Sequence, residues 1–185
     1  LSMLLYARPD APVRRDIADY LLSTRLPDDG WNCSYRRSKN PVSSVHTTLS
    51  TLEALSECAG GEAGARKAAI EDAVRQGQEY LLKRRLLRRV TTGELILPYI
   101  AEFHFPPRWK YDLLRALLYF ASIGYPYDAR MDEGMGILRE KFRRGYLFKG
   151  PTYAGKTHFP METAGAGAMN TLRGLPPASD DTLIT

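Results

Sequence analysis

Three histidines and a few carboxylates are the side chains of this 185-residue chain that could move protons. His46 stands at the start of an apolar segment, while His104 and His158 each stand beside a phenylalanine in a proline-flanked loop. Imidazole titrates near neutral pH, so each histidine could act as a general acid or base. The alternative, which we favour, is a structural role in which the ring hydrogen-bonds at a helix start. His158 is the better catalytic candidate of the two loop histidines because Lys156 and Glu162 are near it in sequence.

Asp112 is the most conspicuous carboxylate because it lies in an apolar segment between two arginines. Arg108 stands four positions before it and Arg115 three positions after it, so a helix would place all three side chains on one face. An ion pair is the first interpretation. The second is that Asp112 faces a cavity, partly desolvated, where it could donate a proton or anchor a cationic intermediate.

Four aromatic side chains could line an apolar binding site. Their ring faces stabilise cations and pack against hydrocarbon chains. These residues are Trp31, Trp109, Tyr111 and Phe159. Packing inside the protein core is the alternative interpretation, and we favour it. Together with the catalytic candidates Asp112, His46 and His158, they form the predicted site.

Cysteine usage and charge limit the other chemistries. Neither Cys33 nor Cys58 has a second cysteine at ligand spacing, so the sequence predicts no metal site and no cofactor. The net charge of +5 is modest, and its basic clusters at 83–89 and 141–144 fall at the ends of predicted helices, where they complement the helix dipole. We therefore predict no nucleic-acid partner. Residues 1–7 are too short for a signal peptide and lack its basic flank, and no apolar run reaches about 18 residues, so we expect a cytoplasmic protein without a transmembrane segment.

A recurring pattern indicates which elements hold these residues. Segments 52–55, 114–117 and 172–175 share the order leucine, charged residue, small residue, leucine, within stretches that are apolar at helical spacing. A second, more amphipathic type of helix alternates with them, at 20–25 and 80–85, with a weaker copy at 137–141. Turns follow the second type at 27–30, 91–93 and 143–145. Each turn contains a glycine, which we expect to adopt the left-handed conformation.

Two alternating helix types, repeated about every 60 residues, predict an all-α fold. Each helical hairpin needs a neighbour to cover its apolar face, so the hairpins should stack into a ring or solenoid. We expect one repeat domain over residues 1–175 and a flexible tail over 176–185. Residues 1–4 fit the middle of the inner-helix pattern, so we expect the chain to be a fragment of a longer one.

The segment YLLSTRLPDDGW at 20–31 resembles the repeat motif of squalene and oxidosqualene cyclases, with Arg25 in the place of a glutamine and Asp29 in the place of a glycine. Segment 44–55 is similar to an inner helix of the α/α-toroid superfamily, which also contains the protein prenyltransferases. Segments 105–115 and 155–162 resemble bacterial squalene-cyclase-like proteins. The resemblance covers residues 1–175 and implies an α/α toroid, here a partial ring of about three helical hairpins.

The resemblance also implies an isoprenoid or other apolar ligand in a central cavity. The cyclases protonate their substrate with an Asp-x-Asp-Asp motif, which this sequence lacks. The prenyltransferases bind zinc through aspartate, cysteine and histidine, and only His46 matches one of those positions. The prediction is therefore ligand binding, with catalysis left open.

The alternative is a non-enzymatic helical scaffold that binds a partner protein along its concave face. An isoprenoid site predicts a large, mainly apolar and aromatic pocket that is closed at one end, whereas a scaffold predicts a shallow polar groove.

Overall fold

A computed structural model of the chain describes residues 1–8, 11–39, 41–104, 109–143, 146–148 and 168–169. The chain divides into two compact units, Leu1–Arg84 and Arg85–Thr185. The described residues are mainly helical, which confirms the all-α prediction at the level of fold class. Within them, no helix combines the length and the apolar character that crossing a membrane requires. The single repeat domain over 1–175 stays a prediction, and the predicted tail at 176–185 lies outside the described residues.

The first unit is built around a hairpin of two helices. Its described helices are α1 (Ser2–Ala7), α2 (Val13–Ser23), α3 (Tyr35–Ser38), α4 (Val45–Ala59) and α5 (Gly64–Leu82). The residues between α4 and α5 form a short turn, and the two helices pack against each other. Half of α4 is buried, including Leu49, Leu52 and Leu55, whereas α5 alternates buried and exposed positions. These burial patterns match the predicted apolar and amphipathic helix types.

The hairpin is tightest at Gly77 of α5. A Cβ atom added there would lie 2.8 Å from side-chain atoms of both Leu52 and Trp31. That distance is shorter than real Cβ contacts, so any larger residue would push the indole or α4 away. Gly77 therefore lets α5 approach both α4 and the turn that precedes α4.

Helix α2 is fastened to the start of α5 by a buried carboxylate. The Glu62 side chain is 4% exposed, and its oxygens lie 3.4 Å from Arg14 Nη2, 3.7 Å from Arg15 Nε and 3.4 Å from Arg66 Nε. Three guanidinium groups offset the cost of removing one carboxylate from water. This network holds α2 in position with Ala18 as its buried contact residue.

The second unit combines helices with a small sheet. Its described elements are α6 (Leu113–Ser122), a 3₁₀ helix (Ala129–Met131), α7 (Asp132–Lys141) and the strands β1 (Phe142–Arg143), β2 (Tyr146–Phe148) and β3 (Ala168–Met169). The strands pair antiparallel in the order β1-β2-β3, with Phe142 opposite Leu147 and Leu147 opposite Met169. The sequence did not predict this sheet, because strands of two or three residues are too short to show a period of two.

The core of the second unit forms around α6. Leu113, Ala116 and Phe120 are buried on this helix, and Leu86, Ile100 and Phe103 of the preceding segment are buried as well. A Cβ atom at Gly134 of α7 would lie 2.9 Å from Leu113 Cδ1, so α7 approaches α6 closely there. The Arg88 guanidinium joins the preceding segment to α7, with Nε 2.9 Å from both carboxylate oxygens of Glu133.

The turns only partly follow the prediction about glycine. In the turn after α2, Asp29 adopts the left-handed conformation, at φ 70°. Gly30 is not among the described glycines with positive φ, so the prediction that Gly30 is left-handed was wrong. Glycine is needed there for space, because a Cβ atom would lie 2.6 Å from Ser43 Cβ. Gly93 does adopt φ 72°, as predicted. Gly145 lies outside the described residues.

Candidate functional site

A cleft of about 400 Å³ opens to solvent in the first unit. Its lining side chains lie within 20–27 at the end of α2, within 31–36 up to α3, and at Thr47 and Thr51 on α4. The volume falls in the range of about 300–1,000 Å³ that is usual for small-molecule sites. One wall of the cleft is formed by segment 20–31, which contains the end of α2 and the turn after it.

Trp31 anchors the cleft to the two helices beside it. The residue is 2% exposed, and its indole Nε1 donates a hydrogen bond of 2.7 Å to the main-chain oxygen of Leu21. Its main-chain N–H donates to Thr48 Oγ1 at 3.0 Å, and its main-chain oxygen accepts from the N–H of Ser44 at 2.8 Å. Trp31 is therefore a core residue whose side chain also contributes to the cleft lining.

The two carboxylates of the turn at 27–30, Asp28 and Asp29, both contact neighbouring polar groups. Asp28 accepts hydrogen bonds from the main-chain N–H of Ser43, at 3.1 Å, and from the Ser43 hydroxyl. Asp29 Oδ1 lies 3.9 Å from Arg25 Nη1. Neither aspartate lines the cleft, and the lining residues that the structure describes include no aspartate or glutamate.

Two arginines and two tyrosines give the cleft its chemical character. Arg25 donates a hydrogen bond to the side-chain oxygen of Gln76. The Arg36 guanidinium carbon lies 5.3 Å from the centre of the Tyr20 ring, which is a cation–π distance. Tyr20 is 50% exposed and Tyr35 is 41% exposed, so both rings remain available to a ligand.

The loop between Trp31 and α3 is held by polar contacts to the start of α4. Asn32 Nδ2 donates to the main-chain oxygen of Val42 at 2.8 Å, and the Cys33 N–H donates to Thr47 Oγ1 at 3.3 Å. The exposed Cys33 lines the cleft. Cys58 differs, because it is buried in α4 and burial raises the pKa of its thiol.

His46, a predicted catalytic residue, lies in the first turn of α4 and is partly buried. Its neighbour Thr47 lines the cleft, but His46 is not among the lining residues. Across the described part of the chain, no group of three or more histidine, cysteine, aspartate or glutamate side chains is arranged to hold a metal ion.

Asp112 is the N-cap of α6, so the prediction that it lies within the helix was wrong. Its Oδ1 accepts from the main-chain N–H of Arg115 at 2.9 Å, and its Oδ2 accepts from the main-chain N–H of His104 at 3.1 Å. The short side chain of an aspartate just before a helix can accept hydrogen bonds from the free main-chain amides of the first turn. The Arg115 guanidinium donates to the main-chain oxygen of Lys110. Arg108 lies outside the described residues.

Asp112 and His104 form a buried acid–imidazole pair, with His104 Nδ1 3.5 Å from Asp112 Oδ2. Burial raises the pKa of Asp112 in spite of the two amide hydrogen bonds, which lower it. The two side chains are 1% and 3% exposed, so neither is open to a ligand from solvent. The geometry suits the joining of two segments better than proton transfer to a substrate.

The remaining predicted residues are dispersed. Tyr111 is fully buried, and its hydroxyl donates a hydrogen bond of 2.5 Å to the main-chain oxygen of Leu86. Trp109 is 65% exposed. His158 and Phe159 lie outside the described residues. Among the predicted site residues that the structure describes, only Trp31 lines the cleft.

Sequence reasoning missed Arg36, Tyr20 and Tyr35 as cleft residues. Tyr20 is the aromatic position of the motif at 20–31, and Arg25 is visible there as a departure from the motif, so two of the lining residues carried a signal. Arg36 and Tyr35 carried none, because they belong to a helix of four residues that follows the motif.

Comparison of the chain with protein-family models, with curated proteins and with solved structures found no match.

Proposed function

We propose that this protein is a helical-repeat protein of the α/α-toroid type that binds an isoprenoid or other apolar small molecule, and that the cleft of the first unit is the binding site. The observation that carries the proposal is the cleft itself, which lies against the motif at 20–31. The exposed rings of Tyr20 and Tyr35 flank it, and Leu21 and Leu26 add apolar surface to its wall. Covering such rings with a hydrocarbon chain removes apolar surface from water, which stabilises the complex by about 25 cal/mol for each Å² buried.

Binding without catalysis is the form of the proposal that the residues support. Protonation of an alkene needs an acidic group at the ligand, and the described lining of the cleft contains no carboxylate. His46 stands one residue away from the lining, and the carboxylate of Asp112 already accepts two main-chain hydrogen bonds in the second unit. From the sequence we expected the ligand in the central cavity of a ring; we now propose that it binds in this cleft.

Farnesol, a neutral isoprenoid alcohol, is the probe for the test. The chain has two tryptophans, so a Trp109→Phe background leaves Trp31 as the reporter at the cleft. We expect farnesol to change the Trp31 emission in a saturable way. A bulky side chain at the exposed Ser23, in the Ser23→Phe variant, should fill the cleft and weaken binding by at least about tenfold, equivalent to about 1.4 kcal/mol.

Ser122→Phe is the matched control. Ser122 ends α6 as Ser23 ends α2, both are exposed, and each hydroxyl donates to the main-chain oxygen three residues before it. Farnesol affinity should stay unchanged in this variant. The proposal is wrong if farnesol shows no saturable binding, or if the two variants weaken it equally.

A helical scaffold for a protein partner is the second candidate. It is supported by the opening of the cleft to solvent and by its polar lining residues, among them Thr24, Asn32 and Thr47. The farnesol titration separates the two candidates, because a scaffold predicts no saturable binding of a small isoprenoid.

A further inference from the structure

The charged side chains in the described lining of the cleft are all positive. Arg25 and Arg36 line it, and the described lining has no acidic residue to balance them. A site that selected a pure hydrocarbon would gain nothing from two guanidinium groups in its wall, because a cation exposed beside an apolar ligand loses hydration. The composition of the lining therefore suits a ligand that carries negative charge.

The two arginines are not equivalent. Arg25 is already engaged, since it donates to the Gln76 side chain and lies 3.9 Å from an oxygen of Asp29. Arg36 is exposed, and the described residues contain no carboxylate within ion-pair distance of it. Its guanidinium lies over the Tyr20 ring, 5.3 Å from the ring centre. A guanidinium held against a ring keeps the N–H groups around its edge free for a carboxylate or phosphate.

The apolar surface lies next to this charge. Tyr20, whose ring carries Arg36, belongs to the same lining as Tyr35, Leu21 and Trp31. A ligand that has both a charged and an apolar part can therefore satisfy the cationic group and the apolar wall together.

We propose that the ligand of this cleft is an anionic amphiphile, with a carboxylate or phosphate group bound by Arg36 and an apolar body packed against Tyr20 and Tyr35. The inference rests on the proposed function and sharpens it, because it excludes neutral hydrocarbons as the preferred ligands. Arg36 is the residue that distinguishes the anion from a neutral molecule with the same body.

Farnesoate and farnesol test this inference because they share one carbon skeleton and differ in the charge of the head group. In the Trp109→Phe background, farnesoate should bind at least about fivefold more tightly than farnesol at low salt. The advantage should shrink as sodium chloride is added, since salt screens an exposed charge pair. Arg36→Gln should abolish the advantage, so that the variant binds farnesoate and farnesol with similar affinity.

Arg37→Gln is the matched control, because it removes the same charge from the same helix at a residue outside the lining. It should preserve most of the preference for farnesoate. Equal affinities for the two probes, or equal losses in the two arginine variants, would overturn the inference while farnesol binding still supported the proposed function. If neither probe binds, the proposed function itself fails.

Discussion

The helices α4 and α6 begin in different ways, although the sequence assigns both to one apolar type. Ser44 precedes α4 and makes no side-chain capping bond, so the start of that helix depends on Trp31, which bonds to Ser44 and Thr48 from more than ten residues away. Asp112 precedes α6 and caps it directly through the main-chain N–H of Arg115. Both starts receive a main-chain hydrogen bond across 13 residues, from Ser44 to Trp31 and from Leu113 to Ile100, but only the start of α6 adds a side-chain cap of its own.

The surroundings of the two helix starts differ as well. The cleft opens beside the start of α4, where Thr47 and Thr51 line it together with residues within 31–36 and the end of α2. The start of α6 instead encloses a carboxylate and an imidazole, and the tryptophan ahead of it is left 65% exposed. The proposed binding site therefore lies beside the first start, and a buried hydrogen-bonded carboxylate lies at the second.

Removing the indole that precedes α4 should have the largest effect on stability. Trp31→Ala empties a buried site and breaks its hydrogen bonds, so we expect a loss of about 3–5 kcal/mol in the free energy of unfolding. Trp109→Ala, at the exposed tryptophan ahead of α6, should change it by less than about 0.5 kcal/mol. Urea unfolding followed by far-UV circular dichroism measures both, and Trp31→Phe serves if the alanine variant does not fold. Equal losses at the two tryptophans would refute the contrast.

Alkaline pH should weaken the segment before α4 through Tyr80. The Tyr80 hydroxyl donates a hydrogen bond of 2.9 Å to the main-chain oxygen of Ser43. Burial raises the pKa of Tyr80 from 10.0 to about 12. The folded protein thus holds the phenolic proton more tightly than the unfolded chain. This contribution is complete below pH 10 and is lost as the pH rises through about 12, by roughly 3 kcal/mol in full.

The measurement for Tyr80 is the stability of wild type minus that of Tyr80→Phe, followed from pH 9 to pH 12 by urea unfolding. We expect this difference to fall as the pH rises. Tyr6→Phe, at a ring that is 91% exposed, should show no such slope. A difference for Tyr80→Phe that stays constant over the range would contradict the prediction.

The smallest of the three expected effects is the loss of unfolding free energy at the two capping positions, Asp112 and Ser44. Asp112→Ala leaves two amides without their acceptor and should cost about 1–2 kcal/mol of unfolding free energy. Ser44→Ala should cost less than about 0.5 kcal/mol, because Ser44 has no side-chain capping bond to lose. Thermal unfolding of the two variants gives the comparison, and a larger loss for Ser44→Ala would show that the two starts are not held as described.

Periodicity was sufficient to predict the longer described helices, though not the four-residue α3. The spacing of leucines predicted α4 and α6, and charges on one side predicted α2, α5 and α7, because burial against a neighbour follows directly from side-chain polarity. Trp31 was also predicted as a packing residue or part of a binding wall, and the structure shows a buried core residue that lines the proposed site.

Predictions that depended on individual hydrogen bonds or on space were wrong. Asp112 was assigned to the helix interior because a pattern of arginines says nothing about where the first turn begins. Gly30 was assigned a left-handed backbone, but it is glycine because Ser43 is close, a contact across 13 residues that no local pattern shows. The cleft could not be predicted either, since its lining combines the end of α2, a four-residue helix and two threonines of α4.

Photoaffinity labelling tests the central claim, that the cleft of the first unit binds the ligand, most directly. A diazirine analogue of farnesoate would be photolysed with the protein, and the labelled residues would be identified by peptide mass spectrometry, with unlabelled farnesoate as competitor. We predict competed labels between Tyr20 and Arg36 and at Thr47 or Thr51. Competed labels confined to residues from 85 onward would contradict the claim.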